Sequence, residues 1–100
     1  MKYYLGYDCG TMGTKVAVFA EDGAMVADAY RPHAIDYPKP GWAEMDPEQF
    51  YRLTSEGIVE CLHKSGVRPR DVRAISASGV ICGIVPIDEN WNATGPYIPY

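Results

Sequence analysis

Residues suited to binding a phosphate group are concentrated in one short stretch near the amino terminus. Glycines there let the backbone approach a ligand closely, and successive backbone N–H groups in such a turn form an anion-binding nest. The predicted phosphate-binding residues are Gly10, Thr11, Gly13, Thr14 and Lys15, and the predicted Mg²⁺-binding residue is Asp8. The threonines add hydroxyl donors, the lysine adds a cation, and the carboxylate can hold Mg²⁺ directly or through water.

The stretch 8–15 matches neither of the common phosphate-binding motifs. It lacks the GxxxxGK[ST] pattern of a P-loop and the GxGxxG pattern of dinucleotide-binding domains. A Gly-rich hairpin that binds nothing therefore stays an alternative from composition alone. The presence of Asp8, Thr11 and Lys15 together favours the phosphate site, because a plain turn requires none of them.

The elements that position this stretch are short and varied. Apolar and β-branched runs separated by turn residues predict strands, with Asp22-Gly23 as a hairpin turn. The predicted strands are 3–8, 15–20, 25–30, 72–77 and 84–87, and the predicted helix is 47–65. The order β-β-β-α-β-β predicts an α/β or α+β unit with a mixed sheet, in which a meander is followed by a helical crossover.

The helix has clear end signals. Asp46 is the expected N-cap, Pro47 occupies the first helical position, and Gln49 stands at the capping-box position. Gly66 is expected to end the helix in a left-handed conformation. The residues predicted to form its apolar face are Phe50, Tyr51, Ile58, Cys61 and Leu62.

Composition excludes several functional classes. The 100 residues carry a formal net charge of -4 and show no basic cluster, so we expect no nucleic-acid partner. No apolar run approaches the roughly 20 residues of a membrane helix, so we expect no membrane partner. The 3 cysteines are scattered, which argues against a disulfide framework and favours a reducing cytoplasmic location.

Three segments together resemble one family. The stretch 4–19 resembles the first phosphate-binding motif of the actin/hexokinase/Hsp70 superfamily, whose domains are RNase H-like. The phrase Pro-Gly-Trp-Ala-Glu-Met-Asp-Pro at 40–47 and the segment 75–79, followed by Asp88, are similar to those of FGGY carbohydrate kinases, xylulokinases in particular. The resemblance covers essentially the whole chain, with the three segments in the family's order and spacing.

The resemblance implies a function and a set of site residues. It implies ATP-dependent phosphorylation of a hydroxyl on a sugar or polyol, such as a ketopentose, with ATP and Mg²⁺ as cofactors and a homodimer left open. Asp8 would organise Mg²⁺. The residues that would line the phosphates are Gly10, Thr11, Gly13, Thr14 and Lys15. The substrate-binding residues implied are Val80, Ile81, Cys82 and Tyr100.

The residues Val80, Ile81 and Cys82 depart from the family pattern. Many ketopentose kinases read Gln-Met-His at these positions, so a polar wall has become apolar. Because a site built to bond hydroxyls discriminates through its polar groups, D-xylulose is a doubtful substrate. Cys82 has no base nearby in the sequence and is expected to be an ordinary thiol. Trp42 is expected to anchor its loop, and His33 and His63 to be surface or rim residues.

The family's catalytic aspartate lies far beyond residue 100. We therefore expect residues 1–100 to be a partial N-terminal domain that is inactive alone, within a longer kinase. The alternative is a non-catalytic regulator of the same superfamily that binds sugar or nucleotide, in which the apolar residues 80–82 mark lost chemistry. A plain α/β scaffold is the third alternative.

Overall fold

The computed structural model describes residues 1–99. Within them the chain forms a sheet, one long helix and one short 3₁₀ turn. The strands are β1 (Tyr3–Cys9), β2 (Gly13–Ala20), β3 (Met25–Pro32) and β4 (Val72–Gly79), the helix is α1 (Pro47–Ser65), and the 3₁₀ turn is Pro69–Asp71. No helix within this range is both long and apolar enough to cross a membrane.

The sheet is mixed, as the sequence predicted. Its strand order is β3-β2-β1-β4. The first three strands form an antiparallel meander, and β4 pairs in parallel with β1. The chain reaches β4 through α1, which supplies the long crossover that a parallel pair requires. The carboxyl ends of β1 and β4 therefore lie side by side, next to the turn that joins β1 to β2.

Helix α1 covers one face of the sheet and leaves the other open. The two layers meet closely where Gly57 lies over β2, since a Cβ on Gly57 would lie 2.8 Å from Val16 Cγ2. The buried core between them consists of Leu5, Val16, Val18, Ala29, Cys61 and Val67. Because side chains alternate along a strand, residues at the intervening positions of β1 and β2 point to the open face.

Both predicted ends of α1 are confirmed. The Asp46 carboxylate accepts a hydrogen bond from the Glu48 backbone N–H at 3.0 Å, which satisfies one of the free donors of the first turn. Gly66 adopts φ 70° and donates its N–H to the Leu62 carbonyl. This left-handed conformation is one that glycine adopts at little cost.

Two predictions about side chains on α1 are wrong. The Gln49 side chain does not complete a capping box; its amide donates to the Ala34 carbonyl and accepts from the Ala34 N–H, each at 2.9 Å. Tyr51 is 78% exposed rather than part of the apolar face. The fully buried positions of α1 are Gln49, Thr54, Gly57 and the predicted Cys61, and the predicted Ile58 and Leu62 pack half-buried against the core. The packed stripe is therefore more polar than hydrophobicity indicates.

The predicted fifth strand at 84–87 is also wrong. In the described residues this segment makes only isolated bridges, between Ile84 and Ile98 and between Ile87 and Ala93. Cys82 has φ 64° and turns the chain away from the sheet after β4. Pro86 has no N–H to donate to a ladder, which also limits regular pairing. Residues 80–99 therefore fold back on themselves instead of extending the sheet.

Candidate active site

A row of polar side chains crosses the sheet at the turn between β1 and β2. Asp8 is the direct partner of Lys15 on β2 and of Ser78 on β4, and Lys15 is the direct partner of Tyr30 on β3. Directly paired residues in a sheet present their side chains to the same face. Asp8 and Lys15 are both exposed. A carboxylate, an ammonium group and two hydroxyls therefore stand together on the face that α1 does not cover.

The exposed charges of this row are free to meet a ligand. Within residues 1–99, neither Asp8 nor Lys15 forms an ion pair with another side chain. Both line a groove of about 460 Å³ on the open face, together with Ala17, Phe19 and Tyr30. Ser78 was not among the predicted site residues, although its place at the end of a strand parallel to β1 was a signal that could have identified it.

The turn between β1 and β2 is held by three backbone hydrogen bonds, one within the turn and one to each side of it. Gly10 N–H donates to the Gly13 carbonyl at 3.0 Å. The Met12 carbonyl accepts from the His33 N–H at 2.9 Å, and the Cys9 carbonyl accepts from the Val80 N–H at 2.9 Å. The turn is thus tied to the continuation of β3 on one side and to that of β4 on the other.

The two glycines of the turn differ in what they provide. A Cβ on Gly13 would lie 2.5 Å from the Tyr30 ring and 2.6 Å from the Arg31 carbonyl oxygen, so this position has no room for a side chain. A Cβ on Gly10 would meet its nearest neighbour at an ordinary 3.4 Å. Neither glycine adopts a positive φ. Gly13 is needed for close packing against Tyr30 and Arg31. Gly10 has room for a side chain, and its lack of one leaves the backbone of the turn accessible.

Thr14 points away from the exposed row and into the protein. It is fully buried, and its hydroxyl lies 2.6 Å from His33 Nε2 and 3.7 Å from Cys9 Sγ. Cys9 Sγ in turn lies 3.1 Å from the Thr54 hydroxyl on α1. The structure therefore separates the predicted phosphate-binding residues into two layers. Lys15 faces the open side, and Thr14 supports the turn from beneath.

His33 has a larger part in this site than the surface or rim position predicted for it. Its ring packs edge-on against Phe50, with ring centroids 4.9 Å apart. Burial lowers the pKa of His33 below its ordinary value, and the nearby carbonyls of Gly10 and Thr11 oppose that shift in part. Its Nδ1 atom is buried and has no hydrogen-bond partner within residues 1–99. The sequence offered no motif that would have identified this residue.

The residues present fit a magnesium ion only as a partial site. Within residues 1–99, no three His, Cys, Asp or Glu side chains stand close enough together to form a cage for a metal. Mg²⁺ commonly binds through one or two carboxylates together with waters and the phosphates of a substrate. The exposed carboxylate of Asp8, beside the turn between β1 and β2, meets that requirement as one such ligand.

The predicted substrate-binding residues follow β4 directly. Val80 is half-buried, whereas Ile81 and Cys82 are exposed. The hydrogen bond from Val80 to Cys9 places this segment next to the turn between β1 and β2. The Tyr97 ring lies against Gly83, where a Cβ would come within 2.2 Å of it. The prediction for Tyr100 lies outside the described residues.

Trp42 does not anchor its loop in the core formed by residues 1–99. Its side chain is 52% exposed, and the Lys39 ammonium lies 4.7 Å from the ring centroid. The Trp42 N–H donates to the Lys39 carbonyl, which closes a turn. The Glu44 backbone pairs with that of Asp36, and the structural role expected for the Glu44 side chain stays a prediction.

A mixed sheet with this order, a helical crossover and an acid–base row beside a Gly-rich turn are typical of an α/β domain of the RNase H-like kind. Residues 3–99 match the model of the FGGY family of carbohydrate kinases, N-terminal domain. The chain therefore belongs to the FGGY family of carbohydrate kinases, and the predicted family and fold class are confirmed.

Individual relatives are kinases of polyols and ketopentoses. The chain is 38% identical to glycerol kinase 1 of Thermotoga maritima over 74% of its length, and 31% identical to the xylulose kinase of Bacillus subtilis over 90%. The crystal structure of the xylulose kinase from Rhodospirillum rubrum superposes on 98% of the chain with a TM-score of 0.87 and 28% identity. The chain spans 15%, 18% and 20% of these three proteins, respectively.

Proposed function

We propose that the protein carrying this chain transfers the γ-phosphoryl group of ATP to a hydroxyl of a sugar or polyol. The observation that carries the proposal is the pairing of Asp8 with Lys15 at the turn between β1 and β2, in a member of a carbohydrate kinase family. Phosphoryl transfer depends mainly on positioning and on neutralising charge. An exposed cation and an exposed carboxylate beside a turn of backbone N–H groups supply the means for both.

Each residue of the turn has a distinct role in this proposal. Lys15 neutralises charge on the phosphates, and Asp8 holds Mg²⁺ directly or through water. Thr11 presents its backbone N–H group and its hydroxyl, while Gly10, whose own N–H donates to the Gly13 carbonyl, adds no side chain between the turn and the ligand. Gly13 and Thr14 act from within: the first lets β2 approach the Tyr30 ring, and the second holds the turn from beneath. Mg²⁺, when bound, supplies charge neutralisation at the phosphates.

The acceptor lies against the segment that follows β4. Val80, Ile81 and Cys82 offer it an apolar surface, next to the turn because Val80 donates to the Cys9 carbonyl. Such a surface favours an acceptor with an apolar group or few hydroxyls on this side, and it disfavours D-xylulose. We propose that residues 1–100 alone have no kinase activity, since the relatives that carry out the reaction are several times longer.

The test is ADP release by the longest natural form of the protein. It would be supplied with Mg-ATP and a panel of ketopentoses, polyols, deoxy sugars and aldonates. We expect release that depends on one acceptor class and falls at least about a hundredfold in Asp8→Asn. Glu21→Gln is a matched control, because it removes an exposed carboxylate in the distant turn between β2 and β3.

A second function is favoured by the apolar character of residues 80–82. A regulator that binds sugar or nucleotide without reaction would have lost the polar groups that orient an acceptor hydroxyl. Mg-ATP binding without ADP release for any acceptor in the panel would support the regulator. The cytoplasmic location and the homodimer stay predictions.

A further inference from the structure

The phosphate turn rests on a histidine that belongs to no recognised motif. His33 Nε2 lies 2.6 Å from the hydroxyl of Thr14, a short side-chain hydrogen bond between residues 19 positions apart. Thr14 is fully buried, so water does not compete for this bond. The His33 backbone adds a second tie, because its N–H donates to the Met12 carbonyl at 2.9 Å. His33 thus binds both the tip of the turn, at Met12, and the start of β2, at Thr14.

The 2.6 Å distance fits either tautomer of His33, and we assign the ring proton to Nε2 from the atoms available. Thr14 Oγ1 donates to Cys9 Sγ, so it has a lone pair left to accept the proton on His33 Nε2. Nδ1 is then the unprotonated nitrogen, and it is the atom that is buried without a partner in residues 1–99. Burial and its effect on the pKa of His33 favour the same neutral ring.

The contacts of His33 continue into α1 from two directions. The ring packs at 87° against Phe50, and the neighbouring Ala34 exchanges two hydrogen bonds with the Gln49 amide. On the other side of Thr14, Cys9 contacts the Thr54 hydroxyl. The turn is therefore braced against a rigid helix through side chains, and not only through the sheet.

We propose that His33 is a positioning residue of the phosphate site, which acts through Thr14 to hold the turn in its binding conformation before nucleotide arrives. This inference rests on the proposed function of that turn. A turn that is already ordered loses less conformational freedom on binding, so its affinity for the ligand is higher. His33 lies behind the turn and is not expected to contact the phosphates.

The variants that test this inference separate the hydrogen bond from the packing of the ring. His33→Phe keeps an aromatic ring against Phe50 but removes the donor to Thr14. His33→Gln places an amide nitrogen the same number of bonds from Cα as Nε2, so it can restore the donor. Thr14→Val removes the acceptor while keeping the shape of the side chain.

We expect His33→Phe in the longest natural form to raise KM for Mg-ATP about three- to tenfold, the effect of one hydrogen bond, with kcat little changed. His33→Gln should recover most of the loss. Thr14→Val should reproduce the loss, and the double variant His33→Phe/Thr14→Val should lose no more than either single one. Unchanged KM in His33→Phe and Thr14→Val, or losses that add in the double variant, would overturn the inference.

A measurement on the unaltered protein gives an answer even where a variant fails to fold. The ¹⁵N chemical shifts of His33 should show a neutral ring protonated on Nε2, with a slowly exchanging Nε2–H coupled to Thr14. A ring protonated on Nδ1, or an Nε2–H exchanging at the rate of free imidazole, would overturn the inference. Failure of the unaltered protein to bind Mg-ATP would count against the proposed function. The imidazole signal of His33 does not depend on nucleotide binding, so the two failures can be told apart.

Discussion

Asp8 and Lys15 are direct partners across the antiparallel strands β1 and β2, and both side chains point to the face of the sheet that α1 leaves open. The pairing follows from the short turn between the strands, which brings residues seven positions apart into register. Opposite charges at paired positions are commonly used for stability. Here they form no ion pair within residues 1–99 and stand beside a Gly-rich turn, and the proposed Mg-nucleotide site depends on this arrangement.

Replacing Gly13 with alanine should destabilise the protein. The added Cβ would lie 2.5 Å from the Tyr30 ring and 2.6 Å from the Arg31 carbonyl oxygen, and the latter is backbone and cannot move aside easily. Overpacking of this kind costs about 1–3 kcal/mol. Thermal unfolding checks the prediction, with Gly6→Ala as the control, because a Cβ on Gly6 meets no atom within 4 Å. Equal stability of the two variants would contradict it.

The contact between α1 and β2 predicts that Gly57→Ala lowers stability in the unaltered protein but raises it when Val16 is also shortened. Gly57→Ala alone should destabilise, since the new Cβ would lie 2.8 Å from Val16 Cγ2 in a fully packed region. In a Val16→Ala background the clash is gone. The same change should then raise the free energy of unfolding by up to about 1 kcal/mol, because alanine favours helix over glycine. Denaturant unfolding of the four proteins measures the coupling, and strict additivity would refute the contact.

The pKa of His33 predicts how stability depends on pH. Because burial lowers this pKa below 6.5, the unfolded chain binds the proton more readily than the folded protein does. The free energy of unfolding should therefore be greatest above pH 6.5 and fall as the pH drops from 6.5 towards the pKa of the folded state. His33→Gln should flatten this slope in unfolding measurements between pH 7 and 5. An unchanged slope in His33→Gln would count against the buried neutral ring.

The apolar segment after β4 predicts that polar substitutions there change which acceptor the enzyme prefers. Combining Val80→Gln, Ile81→Met and Cys82→His installs the residues usual in related ketopentose kinases. If this segment contacts the acceptor, kcat/KM for ketopentoses should rise relative to the native acceptor by about tenfold or more, through added hydrogen bonds. Competition between acceptors in the ADP-release assay measures the ratio. A ratio that does not move would show that these residues lie outside the acceptor site.

Sequence patterns predicted the sheet well because its signals are local. The alternation and β-branched residues of the first three strands, the Asp22-Gly23 turn and the helix ends at Asp46 and Gly66 each depend on neighbours a few residues away. The mixed character of the sheet also followed from the helical crossover, whereas the pairing of β4 with β1 was not predicted.

The errors arose where distant residues compete for the same group. The sequence places Gln49 where its amide could cap α1. In the structure the amide instead binds both the N–H and the carbonyl of Ala34. No sequence motif surrounds His33, and its place in the site depends on a hydrogen bond with Thr14, 19 positions away. The stretch 84–87 has strand composition, but Pro86 and the left-handed Cys82 turn it away from the sheet. The contacts of Gln49 and His33 are not encoded in a short window of sequence, whereas Pro86 was a local signal against a strand at 84–87.

The most direct test of the central claim is Mg-ATP binding to the longest natural form, measured by isothermal titration calorimetry. If the turn between β1 and β2 is the phosphate site, Lys15→Gln should weaken binding by about tenfold or more, the effect of a charge-assisted hydrogen bond. Asp8→Asn should remove the dependence of affinity on Mg²⁺. Lys2→Gln, at an exposed position before β1, should bind as the unaltered protein does. Affinity for Mg-ATP that is the same in Lys15→Gln and Asp8→Asn as in the unaltered protein would contradict the claim.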